Sequence, residues 1–312
     1  VEMEFAFATA GSWLGGCANW GGKTRERGRT CERRRAQTRA RVATLMLARP
    51  ARRGRRDADP ENWPSEVGAD WRAGKVSAPR KGVVGAYKAE VNAQGRLLRG
   101  VKQQQLNVLR VFGGSAKGRK IRSPEVYHRP MMGKVREALF SMLADFEVLR
   151  EDCAALDLYS GSGSVCIEAL SRGIGSAVFV DYSAESAAVI DDNLAVCGFG
   201  TRGRSVCASV EDVLRDPAPF GIDRPLDLIT VTPPYEEVDY GELITSIAQS
   251  DCVGEGTFIV IEYPVELRAL PPVVMSRLIG MRNRRYGRTA LAIYACQPGQ
   301  DFEPRHDEFF PF

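Results

Sequence analysis

The sequence has 312 residues, enough for one large or two small domains with a core of their own, and 44% of the residues are apolar. No uninterrupted apolar run approaches the roughly 20 residues of a membrane-spanning helix, so no membrane association is predicted. Two histidines and eight cysteines without a Cys-x-x-Cys pair leave little for a zinc site or a histidine-based triad. We therefore expect no metal, and we predict reduced thiols.

The net charge of +4 conceals an asymmetry along the chain. Residues 1–108 carry 22 Lys and Arg against 10 Asp and Glu, whereas residues 109–312 carry 21 against 29. A basic surface for a nucleic-acid partner must therefore be sought locally in the second part, which is acidic as a whole.

The first 105 residues are rich in Gly, Arg and Pro and lack sustained apolar periodicity, so a disordered basic region is predicted there. Fourteen basic residues and two acids lie between Lys23 and Arg56, a composition typical of organelle transit peptides. The alternatives are a nucleic-acid-binding tail and a mistranslated upstream region. We expect an organellar location, with the chloroplast favoured over the mitochondrion.

Ordered structure is predicted to begin near Leu106, with a short strand in LNVLRVFGG and an amphipathic helix in MGKVREALFSMLADF. Residues 110–136, which we call the basic segment, hold eight basic residues and one acid, Glu125. A solvated loop is one interpretation, but the alternation of Gly and basic residues favours contact with nucleic-acid phosphates. The candidate contacts are Arg110, Lys117, Arg119, Lys120, Arg122, Arg129, Lys134 and Arg136.

From Cys153 onward, short apolar runs alternate with helical patterns. The runs lie at 154–159, 176–181, 203–208, 226–232 and 257–263, and the helical stretches lie near 163–172, 184–197, 210–215 and 239–250. This alternation predicts an α/β fold with a doubly wound, mostly parallel sheet. The segments VVMSRLIGMRN and ALAIYAC have no helix between them, so a C-terminal antiparallel hairpin is predicted to complete the sheet. Residues 297–312 are predicted to be a loose tail.

The first of these β-α-β units has the layout of a nucleotide-binding unit. A strand containing Asp157 leads into Gly161-Ser162-Gly163, which we call the glycine loop, and the next strand ends at Asp181. The third glycine of a G-x-G-x-x-G pattern is replaced by Cys166, and a tight turn without a ligand is the alternative. A carboxylate at position 181 can accept hydrogen bonds from both hydroxyls of a ribose, in a dinucleotide or in an adenosyl ligand alike.

The sequence Thr232-Pro233-Pro234-Tyr235, which we call the T-P-P-Y segment, follows a later strand and narrows the choice of ligand. Two prolines fix the backbone and leave carbonyl oxygens with no neighbouring N–H, and the aromatic ring can stack on a flat base. Carbonyl acceptors that hold the protons of an exocyclic amine would direct its lone pair at a methyl donor. A simple Pro-Pro turn at the end of a strand is the alternative.

Residues from Leu109 to about Tyr294 resemble the RsmD-type methyltransferases, S-adenosylmethionine-dependent enzymes that methylate a guanine N2 in small-subunit ribosomal RNA. Four segments carry the resemblance: LRVFGGSAKGRK, RPMMGKVREALF, LDLYSGSGSVCIEALSRG and RRYGRTALAIY. The resemblance implies a class I, Rossmann-like methyltransferase domain over residues 106–296, with a seven-stranded sheet. Together with the Arg-rich leader, it suggests an organellar member from a plant or alga.

The resemblance also implies roles for single residues. The methionine part of the donor would be surrounded by Asp157, Ser160, Gly161 and Gly163, its ribose would contact Asp181, and its adenine would lie near Ser209 and Val210. Thr232, Pro233, Pro234 and Tyr235 would hold the flipped base. Two departures are Cys166, where the family has glycine, and Thr232, where the family has aspartate; a hydroxyl is a weaker acceptor than a carboxylate.

The function expected from the sequence is methylation of guanine N2 in small-subunit ribosomal RNA, with S-adenosylmethionine as cofactor. Ribosomal RNA or the small ribosomal subunit would be the partner, and the protein would be a monomer. The alternatives are a DNA amino-methyltransferase with the same amine chemistry and a non-catalytic RNA-binding or ribosome-assembly protein on the same fold. Thr232 is the one feature that favours the second alternative.

Overall fold

The computed structural model describes residues 109–125, 130–235, 237–297 and 304–309. The predictions for residues 1–105 lie outside these ranges. In chain order the elements are β1 (Leu109–Arg110), β2 (Lys120–Ile121), α1 (Gly133–Asp145), β3 (Ala154–Leu158), α2 (Ser164–Ser171), β4 (Ser176–Asp181), α3 (Ala184–Cys197), β5 (Gly203–Cys207), α4 (Val210–Arg215), β6 (Leu228–Val231), α5 (Tyr240–Gln249), β7 (Phe258–Pro264), β8 (Val273–Val274), β9 (Leu278–Tyr286) and β10 (Thr289–Cys296). Short 3-10 helices lie at Ala218–Phe220, Val265–Leu267 and His306–Glu308.

Eight strands form the main sheet in the order β5-β4-β3-β6-β7-β10-β9-β8. Strands β3 to β7 are parallel to one another, whereas β10 is antiparallel to both β7 and β9. The predicted doubly wound, mostly parallel sheet with a C-terminal hairpin is therefore confirmed. The sheet has eight strands rather than seven, because the predicted strand VVMSRLIGMRN is divided by a turn with positive φ at Met275 and Ser276. Its first two residues form β8, which pairs with β9 at the edge of the sheet.

The central strands are continuous apolar runs because both faces of the sheet are covered. Every residue of β3, β6, β7 and β10 is buried. Helices α1, α2 and α3 cover one face through residues such as Leu139, Ile167 and Ile190. Helices α4 and α5 cover the other face through Val213 and Ile244. Each fully buried large aliphatic side chain stabilises the fold by about 1.5–3 kcal/mol relative to leaving it exposed.

Polar side chains define where the helices next to the site begin. The Ser183 hydroxyl accepts a hydrogen bond from the Ser186 N–H at 3.3 Å, which caps α3 directly after β4. One carboxylate oxygen of Asp239 accepts from the N–H groups of Gly241 and Glu242 and caps α5 in the same way. These caps satisfy N–H groups that have no partner inside the helix, so the chain turns from strand into helix at fixed points.

The order of the strands determines where a ligand can bind. From β3 the chain passes to β4 on one side, and it later returns to place β6 on the other side of β3. Ligands of open α/β sheets bind at such a switch point, beyond the carboxyl ends of the strands. The glycine loop follows β3 and the T-P-P-Y segment follows β6, so the topology brings the two motifs to this point.

The C-terminal residues 304–309 are not loose, in contrast to the prediction. The Phe309 side chain is 0% exposed, and its ring centroid lies 5.3 Å from that of Tyr294. Gly280 leaves the space that this ring occupies, since a Cβ there would lie 2.6 Å from Phe309. The buried ring of Phe309 holds this segment on β9, although few of the residues next to Phe309 in the sequence are apolar. Within the described ranges, no helix is both long and apolar enough to cross a membrane.

Candidate functional site

The turn from β3 into α2 requires glycine. Three residues in this turn have positive φ: Tyr159 at 60°, Gly161 at 54° and Gly163 at 73°. At position 163 packing also favours glycine, because a Cβ would lie 3.2 Å from Phe179 and 3.3 Å from Ile190, which is tighter than most Cβ contacts. Tyr159 adopts the left-handed conformation at a cost of roughly 1 kcal/mol or more, and such strain is found mainly at functional sites.

Asp181, at the end of β4, connects the glycine loop to the helix after it. Its two carboxylate oxygens accept separate hydrogen bonds, one from the Gly161 N–H at 2.8 Å and one from the Ser183 N–H at 3.0 Å. Each oxygen of a carboxylate has two lone pairs, so each can accept one more hydrogen bond from a neighbouring diol. The predicted ribose-binding carboxylate is thus fixed in position beside the glycine loop.

Asp157 lies beneath the loop rather than at its surface, with 1% of its area exposed. It accepts a hydrogen bond from the Thr230 hydroxyl at 2.6 Å and one from the Cys166 N–H at 3.4 Å. The Ser160 hydroxyl donates to backbone carbonyl oxygens, including that of Asp157 at 2.6 Å. Both side chains therefore hold the shape of the loop from below. Cys166, also buried, fits within a continuous α2, so a thiol in place of glycine does not break the helix.

Burial raises the pKa of the Asp157 carboxyl to about 7 from its ordinary value of 3.8, and the hydrogen bond from Thr230 offsets part of this effect. Between these two values the folded state binds more protons than the unfolded state, so this group lowers stability as the pH rises towards 7. We expect the free energy of unfolding of Asp157→Asn, relative to the wild type, to rise by about 2 kcal/mol between pH 5.5 and pH 7. Urea unfolding at both pH values measures it, and an equal difference at both would contradict the assignment.

The T-P-P-Y segment is hydrogen-bonded to the chain that leads into the glycine loop. The Thr232 N–H donates to the Leu158 carbonyl at 3.3 Å, and the Thr232 hydroxyl donates to the Tyr159 carbonyl at 3.2 Å. Because the hydroxyl proton points at Tyr159, the oxygen of Thr232 presents lone pairs in its other directions. Thr232 is therefore oriented as a hydrogen-bond acceptor at the switch point of the sheet.

The two prolines differ in what their carbonyl oxygens do. The sequence suggested that both would be available, but the Pro234 carbonyl accepts a hydrogen bond from the Glu237 N–H at 3.3 Å. This bond closes the turn after the segment. Within the described ranges no N–H group donates to the Pro233 carbonyl, so the acceptors available to a substrate amine are the Thr232 hydroxyl and the Pro233 carbonyl.

The half-buried ring of Tyr235 is held at its hydroxyl end. This hydroxyl donates to a carboxylate oxygen of Glu262 on β7 at 2.9 Å, and it lies 3.0 Å from the Thr289 hydroxyl oxygen on β10. Neither partner was predicted from the sequence, because both lie on strands far from residue 235 in the chain. The aromatic side chain is thus fixed at both ends, by the double proline and by the sheet.

The polar residues of α2 explain part of the LDLYSGSGSVCIEALSRG motif that sequence reasoning left without a role. The fully buried carboxylate of Glu168 accepts hydrogen bonds from the Phe112 and Gly113 N–H groups, both at 2.8 Å, and from the Arg172 side chain at 2.8 Å. Ser171 accepts from the Ala116 N–H at 2.9 Å. These contacts hold the start of the basic segment against α2, so the two motifs form one unit. Polar residues on an otherwise apolar helix were the signal available in the sequence.

Arg136 is a correction to the predicted basic surface. The side chain is 1% exposed, its guanidinium lies 4.8 Å from the centroid of the Phe112 ring, and its Nε lies 3.9 Å from Glu168. It also donates to the Arg110 carbonyl at 2.5 Å. Burial lowers the pKa of Arg136, with Glu168 acting in the opposite direction. This arginine is therefore internal and is not placed to contact a phosphate.

The other predicted basic contacts divide by position. Six are exposed: Arg110, Lys117, Arg119, Lys120, Arg122 and Lys134. Arg122 forms an ion pair with Asp192 at 2.9 Å, exposed on both sides, and such pairs contribute little to stability. Arg129 lies outside the described residues. The exposed cations that remain lie between β1 and the first turn of α1, ahead of the glycine loop in sequence. Asn193 joins part of this stretch to the glycine loop.

Asn193 on α3 connects the basic segment to the glycine loop, and the sequence analysis did not identify it. Its amide oxygen accepts from the Arg122 N–H at 2.8 Å, and its amide nitrogen donates to the carbonyls of Arg122 and Ser162, both at 2.9 Å. All three bonds are to backbone, so the contact would be preserved whatever side chains occupied positions 122 and 162. No short-range pattern in the sequence marks such a residue.

The predicted adenine contacts have structural roles of their own. The Ser209 hydroxyl caps α4 by accepting from the Asp212 N–H at 3.1 Å, and Val210 is buried in the core. Both lie directly after β5, at the same edge of the sheet as Asp181. Their position is compatible with the prediction, whereas the side chain of Ser209 already has a partner in the helix cap.

Comparison with known proteins identifies the family. The sequence model described as "Conserved hypothetical protein 95", which is the RsmD family, matches residues 109–295. The chain belongs to the RsmD family. Ribosomal RNA small subunit methyltransferase D of Escherichia coli (strain K12) is 28% identical over 187 residues, which are 60% of this chain and 89% of that protein. The protein YlbH of Bacillus subtilis (strain 168) is 31% identical over 187 residues and is covered over 98% of its length.

Solved structures agree with this assignment. The structure of yhhF from Escherichia coli has a TM-score of 0.53 and 28% sequence identity, and the match covers 61% of this chain and 99% of that chain. The Thermus thermophilus protein TTHA0928 has a TM-score of 0.51 and 30% identity, with 60% and 98% covered.

As an RsmD-family protein the chain is a methyltransferase that uses S-adenosylmethionine. The described residues suit this cofactor. Asp181 keeps lone pairs for the ribose hydroxyls, and Gly161 and Gly163 allow the backbone to approach a ligand closely. Asp157 and Ser160 would support the loop around the methionine part rather than touch it, because both are engaged below the loop.

Replacing Asp181 with asparagine is expected to weaken binding of S-adenosylhomocysteine about tenfold, because one anionic acceptor for the ribose becomes an amide donor. Isothermal titration calorimetry on the full chain measures this change. Asp191→Asn, which alters an exposed carboxylate on the next helix, is the matched control and should leave the affinity unchanged. Equal affinities for Asp181→Asn and the wild type would remove Asp181 from the cofactor site.

Proposed function

We propose that this RsmD-family enzyme methylates the exocyclic N2 of a guanine in small-subunit ribosomal RNA. The observation that carries the proposal is the hydrogen bond between the Thr232 hydroxyl and the Tyr159 carbonyl, which holds the T-P-P-Y segment against the chain that leads into the glycine loop. The Escherichia coli relative named ribosomal RNA small subunit methyltransferase D supports the choice of substrate.

The acceptor groups at the switch point suit an amine that is a poor nucleophile. The lone pair of an exocyclic base amine is delocalised into the ring, and acceptors that hold its protons make the nitrogen more pyramidal. The Thr232 oxygen and the Pro233 carbonyl would hold these protons, and S-adenosylmethionine supplies the methyl group. Catalysis would consist of positioning and electrostatic stabilisation. A hydroxyl accepts less strongly than the family's carboxylate, so we expect slower turnover than in relatives with aspartate at this position.

Tyr235 would stack on the base after it leaves its helix. An exocyclic amine inside paired RNA is not accessible to a buried methyl donor, so the nucleotide must be unpaired or flipped. Stacking on an aromatic ring contributes about 1–3 kcal/mol per base and tolerates any base. The T-P-P-Y segment would therefore account for binding of the base, whereas the choice of guanine rests on the resemblance of the sequence to the RsmD-type methyltransferases.

The exposed cations of the basic segment would bind the RNA backbone. Six Lys and Arg side chains are exposed between residues 110 and 134, and Asn193 ties this stretch to the glycine loop. Each phosphate that such a cation neutralises releases counterions, so binding of RNA should weaken steeply as the salt concentration rises.

For residues 1–105 the proposal is an organellar transit peptide. Its test is the location of a fusion of residues 1–105 to a fluorescent protein.

The experiment that tests the proposed function is transfer of a labelled methyl group to purified small-subunit RNA that lacks its modifications. The wild type should label this RNA and leave duplex DNA unlabelled, and Thr232→Val should label it about tenfold more slowly while Thr232→Ser stays near the wild type. Labelling of DNA in place of RNA would favour the amino-methyltransferase of DNA. If the protein binds RNA, does not bind S-adenosylhomocysteine and transfers no methyl group, it would be a ribosome-assembly factor without catalysis.

A further inference from the structure

We propose that Glu262 and Thr289 are positioning residues that act through the Tyr235 hydroxyl and fix the angle at which its ring meets the target base. This inference rests on the proposed function, since it concerns how the same site holds its substrate. Neither residue lies in the T-P-P-Y segment or in the glycine loop.

The geometry joins three separate parts of the chain at one oxygen atom. Tyr235 follows β6, Glu262 lies near the end of β7, and Thr289 opens β10. The Tyr235 hydroxyl donates to Glu262 at 2.9 Å and lies 3.0 Å from the Thr289 hydroxyl oxygen. Strands β7 and β10 are paired along their whole length, with Leu291 opposite Glu262 and Thr289 opposite Pro264. The two partners are therefore held by the rigid part of the sheet.

Burial makes this arrangement specific. Glu262 is 5% exposed and Thr289 is 0% exposed, so a polar group at either position is costly unless it has hydrogen-bond partners. A phenylalanine ring would fill the same space as the ring of Tyr235 but would leave both groups without this hydroxyl. A tyrosine that served only as a flat stacking surface would not need two buried polar partners.

The hydroxyl contact matters because of how the ring can move. The χ2 torsion of a tyrosine is broad, so a ring attached only through its Cβ samples a range of angles. A hydroxyl bound at the far end of the ring restricts both χ angles. The base stacked on it would then present its amine along one direction, towards the cofactor. Loss of that direction reduces the fraction of bound substrate in a reactive geometry, which lowers kcat rather than binding of the RNA backbone.

The test is a double-mutant cycle on the full chain with Tyr235→Phe and Glu262→Met, assayed by methyl transfer to undermodified small-subunit RNA. Each single variant should lower kcat about tenfold, with KM for RNA and for the donor unchanged. Since both changes remove the same contact, the double variant should be no slower than either single variant. Glu262→Gln keeps an acceptor for the hydroxyl and should recover most of the rate, and Thr289→Val should resemble Tyr235→Phe.

Controls separate this role from a structural one. Tyr263→Phe removes a hydroxyl bond to Asn283 from the next residue of β7 and should not change kcat. Stoichiometric binding of S-adenosylhomocysteine by each variant shows that the protein is folded. The proposal is overturned if the double variant is about a hundredfold slower than the wild type, or if Tyr235→Phe leaves kcat unchanged. In either case, methylation of RNA by the wild type would still uphold the proposed function. If the wild type transfers no methyl group to RNA, the proposed function fails and this proposal fails with it.

Discussion

Replacing Tyr235 with alanine is expected to lower the rate of methyl transfer to RNA about a thousandfold. Loss of stacking removes about 1–3 kcal/mol from binding of the flipped base, and a base misplaced by about 1 Å costs roughly a further hundredfold. The effect should exceed that of Tyr235→Phe, which keeps the ring and loses only the contacts of its hydroxyl with Glu262 and Thr289.

Single-turnover kinetics with saturating donor measures this change directly, because they report the transfer step apart from product release. Phe220→Ala is the matched control: this aromatic residue is also half-buried, but it precedes β6 and so lies at the opposite edge of the sheet from the site. Its rate should stay within a few-fold of the wild type. A Tyr235→Ala rate close to that of the wild type would show that the T-P-P-Y segment does not hold the base.

Replacing Glu168 with alanine is expected to lower the free energy of unfolding by about 3–5 kcal/mol. The change removes the acceptor of two backbone N–H groups and leaves the buried Arg136 side chain without its nearby carboxylate. An uncompensated buried charge and unsatisfied N–H groups are among the costliest defects in a protein core. Because Glu168 also binds Arg172, that side chain loses a partner as well.

Urea unfolding followed by circular dichroism measures the change, with Glu137→Ala, an exposed carboxylate on α1, as the control expected within about 0.5 kcal/mol of the wild type. The position of the defect has a second consequence. The Phe112–Gly113 turn should open more often, so limited proteolysis should cut the basic segment sooner in Glu168→Ala. A loss of less than about 1 kcal/mol would mean that Glu168 does not hold this segment against α2.

The parts of the fold that the sequence predicts well are those that depend on local pattern. Continuous apolar runs mark β3, β6 and β7 because both faces of these strands are buried. An amphipathic pattern marks α1 because only one face of this helix is buried. The final hairpin follows from two strands without a helix between them. The same logic places the glycine loop and the T-P-P-Y segment at one edge of the sheet, since both follow parallel strands.

Contacts between distant segments could not be predicted in this way. Arg136 counts as a surface cation in any tally of charges, and only the packing of Phe112 and Glu168 around it reveals that it is internal. The side chain of Asn193 forms hydrogen bonds to backbone atoms of Arg122 and Ser162, so the residue types at these two positions do not indicate the contact. In the sequence Glu262 is only a polar residue within a buried strand, and its role follows from the tyrosine hydroxyl that it binds.

The hydrogen bonds of Thr232 change how the substitution of threonine for the family's aspartate is interpreted. From the sequence, Thr232 was the one feature that favoured a non-catalytic protein. In the structure its hydroxyl donates to Tyr159, which leaves the oxygen as an acceptor at the place where an amine would bind. A carboxylate could not donate to that carbonyl, so threonine combines a weaker acceptor with an additional bond to the chain before the glycine loop.

The measurement that tests the central claim most directly is a nucleoside analysis of small-subunit RNA from cells with and without the protein, followed by mapping of the modified position. We predict one N2-methylguanine that is present with the wild type, absent without the protein and absent with Tyr235→Ala. Small-subunit RNA with the same methylated guanines in all three cases would contradict it, as would a lost methyl group found on adenine or cytosine.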